Sequence, residues 1–163
     1  MRTVLAMVAL ILLLSGCGYQ LRGEARLPDA MATTWLVVPD ANSVFVRELS
    51  LRLEADGVEL VDEPDAGVAV LRIFRERLRS QPLTISGQAR VREFVLIFEL
   101  DFALEDGVGD VLIPRETLRL TREYSFDEQA ILAATREEEF LRADLRRAMA
   151  AQLLRRLEAV PAP

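Results

Sequence analysis

Arg90-Val91-Arg92-Glu93-Phe94-Val95-Leu96-Ile97-Phe98-Glu99-Leu100-Asp101-Phe102-Ala103-Leu104-Glu105 alternates along most of its length. Side chains two apart on an extended chain point the same way, so Phe94, Leu96, Phe98, Leu100, Phe102 and Leu104 share one face. Glu93, Glu99 and Asp101 fall on the other face, with Val95 and Ile97 between them. This is a period of two, and it predicts a long strand with one buried side. Fully burying such apolar side chains contributes ~1.5–3 kcal/mol each, an upper bound because the unfolded chain is already partly compact.

The neighbours extend this strand into a sheet. Asp106-Gly107-Val108-Gly109-Asp110 is a hairpin-type turn. The strand after it, Val111 to Tyr124, places Leu112, Leu118, Leu120 and Tyr124 on one face, and Pro114 fits an edge or a bulge. Upstream, Val68 to Arg79 reads as a further strand and Ser80 to Ala89 as a loop. A shorter β-type run, Thr34 to Val38, stops at Pro39. Ser43 is placed to cap a helix running to about Asp56, with Phe45, Val46, Leu49 and Leu53 on one side and Gly57 at the C′ position. Val58 to Val61 is a short extended piece, and the acidic stretch Asp62 to Asp65 is a loop. Asp127 can cap a final helix to about Ala159, striped with Ile131, Ala134, Leu141, Leu145, Ala148, Met149 and Leu153. The fold class is α+β: two helices packed on one face of a roughly four-stranded mixed sheet, in a single two-layer domain.

Composition narrows the chemistry. The chain has 163 residues, one cysteine and no histidine, and all 20 of its basic residues are arginine. No imidazole is present to serve as base, metal ligand or pH switch, and a Cys/His zinc site is out of reach. The missing lysine excludes Schiff-base chemistry and P-loop phosphate handling. Glu137-Glu138-Glu139 is a carboxylate run, but consecutive helical residues do not converge as ligands. Ser86-Gly87 lacks a nucleophile elbow. No acidic pair is singled out by spacing, so the expectation is a protein that is not an enzyme and that carries no cofactor and no metal. A net charge of −6 argues against nucleic acid as a partner.

The N-terminus reads as a leader. Met1-Arg2 precedes an unbroken apolar run from Val4 to Leu14, 11 residues long. A membrane span takes ~20 residues, whereas a signal-peptide core takes ~7–15. The run closes in Leu14-Ser15-Gly16-Cys17, which resembles the bacterial lipoprotein box. That resemblance implies cleavage before Cys17 and acylation of Cys17, tethering the chain to a membrane through its acyl chains. Gly18 in place of Asp is compatible with sorting to the outer membrane. The expected organisation is a signal peptide over 1–16, a lipidated tether over 17–33 and one domain over 34–160. The mature chain loses Arg2, leaving 19 arginines against 26 acids and a charge of −7.

One region reverses that charge. From Arg72 to Arg92 there are six arginines (72, 75, 77, 79, 90 and 92) and one acid, Glu76. Arg75, Arg77 and Arg79 share a strand face, and a hairpin places Arg79 and Arg90 near each other. Guanidinium forks bind phosphate bidentately, so one reading is a phosphate-bearing partner such as a phosphorylated lipid. The other is a solvated strand face whose arginines pair with Glu93, Glu99 or Asp101 on a neighbouring strand, and charge alone favours it.

The segments taken together resemble the LptE family of lipopolysaccharide-assembly lipoproteins. The resemblance is carried by Cys17-Gly18-Tyr19-Gln20-Leu21-Arg22-Gly23 with Leu27-Pro28, by Asp56-Gly57-Val58-Glu59-Leu60 and by Arg92-Glu93-Phe94. Phe126-Asp127, Leu132-Ala133 and Gln152-Leu153-Leu154-Arg155-Arg156-Leu157 complete it. It implies two helices on a four-stranded sheet, no catalytic residues, and a chain that plugs and stabilises the LptD β-barrel and binds lipopolysaccharide. The implied location is the outer membrane, lipid-anchored, facing the periplasm and the barrel lumen. The basic positions implicated in lipopolysaccharide binding in the family align with Ser86 or Gly87 and with Thr135, none of them basic here. Arg79, Arg90, Arg92 and Arg136 lie nearby and are the substitutes expected to bind lipopolysaccharide. The second class of function left open is an envelope lipoprotein serving another outer-membrane assembly machine as accessory or adaptor. A third is a carboxylate-based envelope hydrolase.

Overall fold

The computed structural model describes residues 27–85, 91–126 and 131–161. The expected leader, the lipoprotein box and the proposed Asp127 cap lie outside them. A 3₁₀ turn at Asp29–Met31 leads into strand β1 (Thr33–Val37), followed by helix α1 (Val44–Ala55) and strand β2 (Glu59–Val61). Strands β3 (Ala69–Ile85), β4 (Val91–Glu105) and β5 (Val111–Ser125) come next, then helix α2 (Ile131–Glu158). The sheet order is β2-β1-β3-β4-β5. β1 runs parallel to both β2 and β3, while β3, β4 and β5 form an antiparallel meander. The architecture is therefore the expected α+β domain with a mixed sheet. It has five strands, because the short extended piece at Glu59–Val61 joins the sheet beside β1.

α1 ends where its sequence says it should. The Ser43 Oγ accepts from the backbone N–H of Phe45 (3.1 Å) and Val46 (3.5 Å), satisfying donors that the first turn leaves unpaired. The same hydroxyl donates to Glu76 Oε2 at 2.6 Å, tying the cap to β3. At the other end Gly57 takes φ +89°. Its N–H reaches the Glu54 carbonyl and the Val58 N–H reaches the Leu53 carbonyl, the paired bonds of a Schellman motif. Val58 and Leu53 are both buried, supplying the apolar contact that accompanies this motif.

The core lies between the helices and one sheet face. Leu96, Phe98, Leu100, Phe102 and Leu104 of β4 are fully buried, with Phe94 half-buried at the strand's start. Phe45 of α1 meets Phe98 edge to face at 5.2 Å between centroids. α2 contributes Leu145, Met149, Leu153 and Leu157. Its first turns depart from the expected stripe: Ile131 is exposed, Leu141 is half-buried, and Ala134 is the one described core residue there. Thr34, buried among apolar side chains, donates its hydroxyl to the Met31 carbonyl at 2.7 Å.

One detail of register differs from the sequence reading, and another agrees with it. β3 does not stop at Arg79 but continues through Ser80 to Ile85, because β4 is long enough to keep supplying partners. Pro82, which has no N–H to give, sits beside a register shift. On β5, Pro114 and Arg115 fall where the strand carries one residue more than β4, between the partners of Phe102 and Leu104. That is the bulge on an edge strand expected for Pro114.

Candidate functional site

The sheet face away from the helices carries the charge reversal, and the pleat builds it. Arg75 pairs with Asp101, and Arg77 with Glu99, across β3 and β4. On the far side of β4, Asp101 is opposite Thr117 and Glu99 opposite Arg119. Since opposed residues share a face, two carboxylates on the central strand are flanked by arginines from both neighbours. Arg75 Nη2 lies 3.3 Å from Asp101 Oδ1, and Arg115 Nη2 lies 3.1 Å from Asp101 Oδ2. Thr117 donates its hydroxyl to Asp101 Oδ1 at 2.8 Å. Arg79 Nη1 donates to Glu99 Oε2 at 2.7 Å, and Arg119 Nε stands 3.9 Å from Glu99 Oε1.

Four guanidinium groups thus converge on two acids, and the local balance stays positive. Arg72 and Arg77 add to it, making no ion pair among the described residues. Asp101 is 5% exposed, and burial works to raise its carboxyl. The bonds from Thr117, Arg115 and Arg75 outweigh burial and hold it below the ordinary aspartate value. For Glu99, the Arg79 hydrogen bond is the leading cause of a lowered value. Ile97 is 2% exposed although it faces this open side. Its opposed neighbours on the two flanking strands are Arg79 and Thr121. Phe74, at the register shift in β3, lies 4.4 Å from the Arg115 guanidinium in a cation–π contact.

A second cluster lies where β5 meets the start of α2. Tyr124 donates its hydroxyl to Glu138 Oε2 at 2.8 Å, and Arg142 Nε donates to Glu138 Oε1 at 2.8 Å. Ser80 Oγ is 3.4 Å from the Tyr124 hydroxyl. Phe94 stacks on Tyr124 at 5.4 Å and meets Phe126 edge to face at 5.9 Å. Burial raises the Tyr124 phenol, and Glu138 beside it adds to the rise. Burial also works to raise Glu138, but Tyr124 and Arg142 outweigh it and hold that carboxyl low.

Of the residues singled out from sequence, Arg79 lies on the open face, committed to Glu99. Arg136 is exposed on α2, between the exposed Leu132 and Phe140 one helical turn to either side. Arg92 belongs to β4. Cys17, Arg90, Ser86 and Gly87 lie outside the described residues, and Thr135 uses its hydroxyl on the Ile131 carbonyl. The pairing of arginines with acids of a neighbouring strand holds for Arg75 and Arg79. Sequence reading missed Arg115 and Arg119, which complete the face. The available signal was parity: both alternate with Leu118 and Leu120, which pack toward the core. Among the described residues no group of three or more Asp, Glu, Cys or His is placed to hold a metal ion, and no helix is long and apolar enough to cross a membrane.

Comparison with known proteins matches this arrangement to one family. The LptE model, described as lipopolysaccharide-assembly, matches residues 31–157. The chain belongs to the LptE family. An LPS-assembly lipoprotein LptE from Pectobacterium atrosepticum is 24% identical over 153 residues, covering 90% of this chain and 79% of that one. Another from Yersinia enterocolitica is 26% identical over 158 residues, covering 93% and 73%. Among solved structures, lipoprotein B from Nitrosomonas europaea superimposes with a TM-score of 0.73 at 27% identity, covering 87% of this chain and 91% of that one. Rare lipoprotein B from Shewanella oneidensis gives 0.67 at 26% identity, covering 77% and 92%. The family match spans the whole helix-and-sheet domain, from the 3₁₀ turn to the last turn of α2.

Proposed function

We propose that this protein is a non-enzymatic outer-membrane lipoprotein, anchored through Cys17, that plugs and stabilises the LptD β-barrel and binds lipopolysaccharide during its assembly at the cell surface. The observation that carries this reading is the family match over residues 31–157, which spans the domain and names lipopolysaccharide assembly. The order 1–16 leader, 17–33 tether and 34–160 domain goes with it, except that the folded part begins a few residues before 34, since Met31 is buried in the core and β1 starts at Thr33. For the ligand we assign Arg79, Arg90, Arg92 and Arg136, whose guanidinium groups suit phosphate. Arg136 supports the assignment by its exposure between two exposed apolar residues, a setting suited to an amphiphile. Arg79 contributes with one edge of its guanidinium, the other being held by Glu99.

The test has two arms. Purification from detergent-solubilised outer membrane, with mass spectrometry, is expected to return a large barrel protein and an acylated Cys17 peptide. A different partner in place of the barrel overturns the plug assignment and favours an adaptor of another envelope machine. Replacing Arg79, Arg90 and Arg92 together with Ala is expected to weaken lipopolysaccharide binding while circular dichroism stays unchanged. Full binding by the folded triple variant refutes those arginines as contacts and leaves the plug role standing.

A further inference from the structure

α2 is one helix of 28 residues with two unlike halves. From Leu145 to Leu157 it buries Leu145, Met149, Ala150, Leu153, Leu154 and Leu157. From Ile131 to Ala143, among the described residues, it buries only Ala134. The large apolar side chains of that first half mostly point outward: Ile131, Leu132 and Phe140 are exposed and Leu141 is half-buried. Ala134, Glu138 and Leu141, spaced four and three apart, form the side that meets the sheet. Its central contact is therefore polar, the Tyr124 hydroxyl donating to Glu138 Oε2 at 2.8 Å. Helices in folded proteins are held mainly by the packing of an apolar face, and a segment with few buried apolar contacts opens at low free energy.

We infer that residues 131–143 are a flap that opens off the sheet as one unit, with Tyr124 and Glu138 as its latch. The hinge lies at Asp144 and Leu145. There Arg122 Nε donates to Asp144 Oδ2 at 3.1 Å and Leu145 enters the core, so the rest of α2 stays docked. Glu138 sits in the middle of the flap, and Arg142 bonds it from within the same helix. Breaking the latch frees the turns on either side of it together, and the Arg142 bond travels with the flap. The Tyr124 hydroxyl keeps a second neighbour on the sheet, Ser80 Oγ at 3.4 Å, so neither latch partner is orphaned on release.

Opening has two consequences. It uncovers the Tyr124 ring, 6% exposed in the closed form, with Phe94 stacked on it at 5.4 Å. It also carries Arg136, with Leu132 and Phe140 on the same helical stripe, away from Arg79 and Arg92, which stay on the sheet. The inference rests on these contacts and not on the proposed function. To that reading it adds an adjustable geometry, in which the assigned arginine of α2 moves relative to those of the strands.

The test is amide hydrogen exchange of the full chain in detergent, followed at low urea concentrations. Amides 135–143 are expected to share one opening whose exchange hardly responds to urea. Amides 149–157 are expected to exchange only with global unfolding, which urea promotes steeply. Tyr124→Phe removes a bond that only the closed form has, so it is expected to speed exchange over 135–143 about tenfold. Glu116→Gln loosens Arg156, whose Nε stands 2.8 Å from Glu116 Oε1 in the docked half. Open and closed forms share that bridge, so exchange over 135–143 is expected to stay unchanged in this variant. The inference is overturned if amides 135–143 exchange only with global unfolding, or if their protection climbs residue by residue from the start of the helix, as in fraying. It is equally overturned if Tyr124→Phe leaves them unchanged, or if Glu116→Gln speeds them as much.

Discussion

Replacing Asp101 with Asn removes one charge and almost no volume from the open face of the sheet. The carboxylate is 5% exposed and takes bonds from Thr117 at 2.8 Å, Arg115 at 3.1 Å and Arg75 at 3.3 Å. Hydrogen bonds to a charged group are worth about 1.5–3 kcal/mol when well buried. Arg75 and Arg115 are about half-exposed, at 49% and 58%, so solvent screens them and each contributes roughly 0.5 kcal/mol. The Asn oxygen can still accept from Thr117, though as a weaker neutral acceptor, while its amide nitrogen replaces the oxygen facing Arg115 and sets two donors against each other, so the substitution is expected to cost about 2 kcal/mol at pH 7. For a domain of this size that lowers the melting temperature by about 5–8 °C. The pH dependence has a definite sign. The folded pKa of Asp101 lies below its unfolded value, so its contribution is full above the unfolded pKa and is lost as pH falls through the folded one. Wild type therefore approaches Asp101→Asn in acid, starting near pH 4. Urea unfolding followed by circular dichroism at pH 7 and at stepwise lower pH measures both effects. Equal stability at pH 7, or a gap that stays constant down to pH 2, refutes the account of Asp101 as an ionised anchor.

Two further outcomes follow from single contacts. A Cβ on Gly107 would stand 2.3 Å from the Gly67 carbonyl carbon, where the Gly67 N–H bonds the Gly107 carbonyl at 3.1 Å, so Gly107→Ala is expected to push the two turns apart. The cost is about 1–3 kcal/mol by thermal melting, and a variant melting with wild type contradicts the close approach. Tyr124→Phe keeps the ring on Phe94 but removes the hydroxyl from Glu138 and Ser80. It is expected to cost about 1–2 kcal/mol and to speed amide exchange in the first turns of α2, and unchanged exchange there counts against Tyr124 as their tie to the sheet.

How far the sequence carries is best seen on β4 and its neighbours. Its alternation identified the buried face correctly because one side packs on helices and the other does not, so burial and period speak together. The caps of α1 were legible for the same reason: Ser43 and Gly57 act through their own backbone neighbourhood, within five residues. β2 was harder to count, because three residues have no period and gain their place only by lying parallel to β1. The early end assigned to β3 has a similar origin. Pro82 and the polar residues around it look like a loop locally, and only the length of β4 keeps them extended. The arginine face lies between these cases. A count along Arg72 to Arg92 found part of it, but Arg115 and Arg119 come from a strand more than twenty residues later, and pairing across β4 brings them in. Charge patterns read along a chain therefore underestimate a site that a sheet assembles across strands. The remedy is to predict the pairing first and then to count charges by face.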